Sequence, residues 1–166
     1  VRAFAPAGGR LGRFVLGAAR IYRLAMRERA DIYHFHDPDL LPYGLVMRAR
    51  GAKVIYDAHE DVPRDILSTD WIPVPMRRLI AAVFEAFENF AARRMNAVVA
   101  ATPHIGHRLR EVNPRTVTVN NYPFSDELAS SAGERVDTGQ TRAGFCYVGG
   151  ISTIRGAREM LEAIRI

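Results

Sequence analysis

Apolar and polar positions fall along this chain in blocks whose period switches between helix-like and strand-like. Residues 11 to 29, LGRFVLGAARIYRLAMRER, carry Phe14, Ala18, Ile21, Tyr22 and Ala25 at helical spacing with charges between them, which predicts a helix. DIYHFH, from Asp31 to His36, is a β-branched and aromatic run of strand length, and LLPYGLVMRAR after it reads as a helix closed by Gly51. AKVIYDAHE supplies a second buried strand, VIY, that runs out into Asp57, His59 and Glu60. Pro63, Pro73 and Pro75 mark a connection into the longest predicted helix, residues 76 to 95. On that helix Ile80, Val83, Phe84, Phe87, Phe90 and Ala91 form the expected core stripe, with Arg77, Arg78, Glu85, Glu88 and Asn89 on the opposite face. NAVVAAT predicts a third strand, PHIGHRLREV a short helix and TVTVN a fourth strand.

Strand and helix in alternation imply a parallel sheet, and strands that are continuously apolar imply cover on both faces. The fold class is therefore α/β, a Rossmann-like parallel sheet with helices on both faces. After NNYP the composition turns polar, so residues 123–143, rich in Ser, Gly and Asp, read as a linker between domains. GFCYVG then resumes as a buried strand, GISTIRG as a loop, and residue 157 onward as a helix. The expected organisation is a partial domain over 1–122, the linker, and over 144–166 the first strand, loop and helix of a second α/β domain. The opening at Val1 and the close inside a helical pattern at AREMLEAIRI suggest a fragment.

Composition narrows the partners. A chain of 166 residues, 48% hydrophobic, can bury a core of its own. Its single cysteine, Cys146, excludes an internal disulfide and a cysteine-built zinc cage, and fits a reducing, cytoplasmic setting. The net charge of +5 is almost all arginine, since Lys53 is the only lysine among 23 Lys and Arg. Arginine suits phosphate and carboxylate, so anionic ligands and anionic lipid surfaces are the natural partners. The arginines are scattered and no nucleic-acid motif accompanies them, which argues against nucleic acid. There is no targeting peptide pattern and no stretch long enough to span a bilayer.

The candidate chemistry lies at strand ends, where ligands bind in open parallel sheets. His34 and His36 sit at one such end, His59 and Glu60 at the next. Residues two apart on a strand share a face, so His34 and His36 can converge on one ligand, although His34 also reads as an interior histidine with a satisfied ring. A His-x-His pair at a strand end also resembles the opening motif of barrel-type metal hydrolases. A barrel needs further ligands from later strands, and here only His104 and His107 remain, so no metal is expected. No Gly-x-Ser-x-Gly turn offers a nucleophile, and Cys146 lies within an apolar run.

Five segments carry a resemblance: ADIYHFHDPDLL, VIYDAHEDVP, AVVAATPHIGHRL, VTVNNYPF and CYVGGISTIRGAREMLEAI. In order and spacing they resemble retaining glycosyltransferases of the two-Rossmann-domain (GT-B) type, family four, from about residue 30 onward. The resemblance implies the second half of an acceptor-side domain followed by the start of a donor-side domain. His59 matches the family's histidine on the acceptor side of the cleft, the implied catalytic position. His36 and Asp37 match its strand-end His-acidic-Pro segment, and with Glu60 they are the implied acceptor-binding residues. Gly149 and Gly150 match the loop under the donor's phosphates, and Arg155 falls where the family usually has a lysine on the diphosphate. Many relatives carry arginine at the position of Gly150, and this chain departs from them there.

The activity implied by the resemblance is transfer of a sugar, with retention, from a nucleotide sugar to a glycan, lipid-linked or small-molecule acceptor. The donor is a substrate, no cofactor is expected, and the family's paired glutamates should lie beyond Ile166, so the chain alone should be inactive. A non-catalytic carbohydrate- or nucleotide-binding module and a sugar-nucleotide epimerase of the same architecture are the competing classes. DWIPVPMRRLIAAVF, with Trp71, Met76, Arg77 and Arg78 opening an amphipathic helix, adds peripheral contact with an anionic membrane, against the simpler reading in which Phe84 and Phe87 face the core. Pro38 should stop the first strand and Asp39 cap the helix after it.

Overall fold

The structure, a computed structural model, describes residues 16–69, 71–122 and 156–164. The chain divides into two units, Val1–Asn121 and Tyr122–Ile166. In the first, four parallel strands stand side by side in chain order: β1 (Ile32–Phe35), β2 (Lys53–Ala58), β3 (Ala97–Ala100) and β4 (Thr116–Thr118). The helices between and before them are α1 (Ala18–Arg27), α2 (Leu41–Ala49), α3 (Val62–Ser68), α4 (Val74–Ala92) and α5 (Pro103–Arg110). This is the Rossmann-like α/β class that the alternation predicts. Among the described residues no helix is long and apolar enough to cross a membrane.

Strand parity decides what is core. Phe35 on β1, Val54, Tyr56 and Ala58 on β2, and Val98 and Ala100 on β3 join Leu41 and Met47 of α2, Ala91 and Ala92 of α4, and Ile105 and Leu109 of α5 in one cluster. Small residues let the helices approach: a methyl added at Gly44 of α2 would lie 2.8 Å from the Phe35 ring. Asn113 closes the C-terminal end of α4 by donating from Nδ2 to the carbonyls of Ala92 (2.8 Å) and Met95 (3.1 Å), groups that a helix end otherwise leaves orphaned.

Four expectations need correction. The connection marked by Pro63 contains a helix, α3, because proline in the first turn has no amide to lose and a φ already suited to a helix. Asp39 does not cap α2: it lies inside a 3-10 turn, Pro38–Leu40, and Leu40 occupies the N-cap position. Glu88, expected on the polar face of α4, has no exposed surface. Conversely Val83 (62%) and Phe90 are exposed, together with Leu79 (66%) and Met76.

The cause of the last two lies in the partners. α4 is apolar around most of its circumference, so periodicity does not choose its inner side; specific polar contacts do. Tyr56 donates its hydroxyl to Glu88 Oε1 at 2.8 Å, and Arg108 of α5 brings Nη2 to 2.8 Å from Glu88 Oε2. Arg108 also lies 3.5 Å from Asp61, which His104 approaches at 3.3 Å. Burial, reinforced by the Glu88 carboxylate, pushes the Tyr56 phenol far above its ordinary range, so it stays a donor.

In the second unit, α6 (Ala157–Ile164) forms where a helix is expected. Gly156 precedes it at φ 73, a conformation glycine adopts without a side-chain clash. An Arg158–Glu162 pair at 3.1 Å, one turn apart, supports it. The expected linker, the strand with Cys146, and the donor-loop residues Gly149, Gly150 and Arg155 lie outside the described residues.

Candidate functional site

The register of β1 on β2 sets His34 beside Ile55 and Phe35 beside Tyr56. Side chains of paired residues share a face, so His34 and His36 stand on the same side of the sheet as Asp57 and His59. That side is opposite to the one on which Tyr56 meets Glu88. β1 ends at Phe35 and β2 at Ala58, which puts His36 and His59 one residue past the two carboxyl ends.

The four side chains meet. His34 Nε2 hydrogen-bonds Asp57 Oδ2 at 3.0 Å, and His36 Nδ1 hydrogen-bonds His59 Nε2 at 3.1 Å. His36 Nδ1 is also 3.1 Å from Asp57 Oδ2, and His59 Nε2 is 3.1 Å from Asp57 Oδ1. These last two are close polar contacts rather than aligned hydrogen bonds, and Asp57 Oδ1 is buried without a hydrogen-bond partner. The Asp57 side chain is only 8% exposed, while the three imidazoles around it open to the crevice. The His36 ring packs at 5.0 Å against both the His34 and the His59 ring.

Of the residues expected at the site, His36 and His59 are thus brought into contact. Asp37 and Glu60, both exposed, stand outside the network. Asp37 instead leads into the 3-10 turn, in extended conformation. His34 is neither interior nor idle: it is exposed and bonded to Asp57. Asp57 is the residue that sequence reasoning passes over, and the signal for it is its place two residues before His59, hence on the same face. His104 and His107 take no part, the first lying against Asp61 and the second exposed on α5.

Beside β1, between α1 and α2, lies a cavity of about 420 Å³. His34, His36 and Asp37 border it together with Tyr22, Tyr33 and Tyr43. Tyr22 and Tyr43 stack with ring centroids 5.3 Å apart, and the Arg50 guanidinium lies 5.9 Å over Tyr22. Aromatic faces next to hydrogen-bonding groups suit a ligand with both C–H and hydroxyl surfaces.

In an open parallel sheet ligands bind beyond the carboxyl ends of the strands, which is where His36 and His59 stand. The sequence model of Glycosyltransferase Family 4 matches residues 1–121, and the chain belongs to that family. No curated protein and no solved structure matches the chain.

Proposed function

We propose that this chain supplies the acceptor side of a glycosyltransferase that moves a sugar, with retention, from a nucleotide sugar to a glycan, lipid-linked or small-molecule acceptor. The observation that carries the reading is the convergence of His36 and His59 on Asp57 beside the tyrosine-lined cavity, in a chain of this family. Asp57 holds the imidazoles in place; His59 orients the attacking hydroxyl and takes up its proton as the glycosidic bond forms. His36, with Asp37 and Glu60 at the rim, positions the acceptor, and holding it in line with the donor supplies much of the rate. Gly149, Gly150 and Arg155 receive the departing diphosphate, whose charge backbone amides and a guanidinium neutralise without a metal on the leaving group. The domain organisation is that of an acceptor domain over 1–122, a linker over 123–143 and the start of a donor domain over 144–166.

The test is transfer from labelled nucleotide sugars by protein expressed from the full reading frame that encodes this chain. Incorporation that His59→Ala abolishes supports the reading. Saturable carbohydrate binding with no transfer from any donor would replace it with a binding module.

A second feature favours work at a membrane surface on the cytoplasmic side. Met76, Leu79, Val83 and Phe90 form an exposed apolar stripe along α4, with Trp71 exposed just before the helix. Exposed Arg78, Arg93 and Arg94 border it, and Arg94 lies 3.5 Å over the Phe90 ring. An apolar stripe edged by guanidinium groups is complementary to an anionic lipid interface.

A further inference from the structure

We propose that His34, His36 and Asp57, with His59 beside them, form a binding site for a zinc-class divalent cation. The site goes beyond the transferase reading and does not depend on it.

The ligand atoms of His34, His36 and Asp57 all lie within 4.8 Å of one another. His59 Nε2 lies beside this set, 3.1 Å from both His36 Nδ1 and Asp57 Oδ1, and is not one of its ligands. Tetrahedral zinc with bonds of about 2.0–2.1 Å places its ligand atoms roughly 3.3 Å apart. His34 Nε2 at 3.0 Å and His36 Nδ1 at 3.1 Å from the same oxygen, Asp57 Oδ2, stand close to that spacing. Two imidazoles and one carboxylate are a borderline donor set that suits zinc, cobalt and nickel better than calcium or magnesium, which prefer all-oxygen shells.

Hydrogen bonding alone does not satisfy these groups. His36 Nδ1 faces Asp57 Oδ2 and His59 Nε2 at the same 3.1 Å, and a ring nitrogen carries at most one proton. Asp57 Oδ1, on a side chain more than nine-tenths buried, accepts no hydrogen bond. A buried carboxylate calls for a compensating positive charge, and a cation shared by the ring lone pairs provides it. The frame is held by the sheet as well, since His34 pairs with Ile55 of β2 and Asp57 with Val99 of β3. The expectation of no metal rests on His104 and His107 as the only remaining ligands; the fold supplies Asp57 in their place.

The experiment is titration of the chelator-treated chain with Co²⁺, read by the visible d–d absorption of tetrahedral cobalt, and with Zn²⁺ by calorimetry. The expected result is one cation per chain with a dissociation constant on the order of micromolar or tighter. His34→Ala and Asp57→Asn should each weaken binding at least about tenfold, and His104→Ala should leave it unchanged. At one Zn²⁺ concentration the Tm of the wild-type chain should rise by more than that of His34→Ala. His34 is exposed, so its replacement keeps the test valid even where Asp57→Asn fails to fold. Absence of saturable binding, or binding that His34→Ala leaves intact, would overturn the site.

Discussion

Tyr56 and Asp57, consecutive on β2, face opposite sides of the sheet: Tyr56 donates to buried Glu88 at 2.8 Å, while Asp57 draws His34, His36 and His59 to within 3.1 Å. One strand end therefore anchors both the packing of the helices and the geometry of the crevice. Changes on the two faces should separate cleanly, stability on one and chemistry on the other.

On the packed face, Glu88→Ala leaves the Arg108 guanidinium, 11% exposed, without its main counter-charge. Breaking a buried pair from one side costs about 3–5 kcal/mol. The paired replacement Glu88→Met with Arg108→Met should recover most of that loss, and Tyr56→Phe should cost less, about 1.5–3 kcal/mol. Urea unfolding of the three variants checks the order; equal losses from the single and paired changes would rule out the ion pair as the organising contact.

On the crevice face, the proposed function predicts that His59→Ala lowers kcat/KM for transfer by about 10²–10⁴-fold. Donor affinity should stay where it is, because His59 is assigned to the acceptor. Steady-state kinetics with the donor varied at saturating acceptor separates the two parameters. A rise in donor KM with kcat intact would move His59 out of that role.

Two glycines should respond to different replacements. Gly44 is limited by space: a Cβ there would stand 2.8–3.0 Å from the Phe35 ring and the Met95 methyl. Gly44→Ala should therefore cost about 1–3 kcal/mol through overpacking. Gly51 has open space but φ 84, so Gly51→Ala should cost about 1–2 kcal/mol and Gly51→Asn clearly less, since asparagine tolerates that conformation. Thermal denaturation of the set distinguishes them, and equal tolerance of Asn at both positions would contradict the assignment.

For α4, co-sedimentation with vesicles should depend on anionic lipid and fall when Leu79 and Val83 are changed together to serine. Each of Arg93→Ala and Arg94→Ala should weaken binding by roughly fivefold, about 1 kcal/mol per arginine near an anionic surface. Binding indifferent to lipid charge would remove the membrane from the proposal.

The fold class is readable from sequence because the strands VIY and AVVA are short, continuously apolar and separated by helical patterns, which leaves few arrangements open. α3 is hidden by Pro63, a residue that punctuates a loop as readily as it opens a helix. The orientation of α4 is hidden for a different reason: Phe84, Phe87 and Phe90 mark its apolar character but not its inward side, which the Tyr56 hydroxyl and Arg108 select through Glu88. At the site, His36 and His59 are legible from their strand ends. Asp57 is not, because a carboxylate inside a strand gains its meaning only when the register delivers histidines from the neighbouring strand.

The chain-order arrangement of the four strands also bears on how the molecule assembles in time. Each strand pairs with its successor, so every pairing closes a single local excursion of the chain and none waits for a distant segment. The longest excursion, from Ile55 to Ala97, contains α3 and α4, and loop-closure entropy grows with length. The shorter excursions predict that β1 with β2, and β3 with β4, pair early, and that joining the two halves across Ile55 and Ala97 comes last.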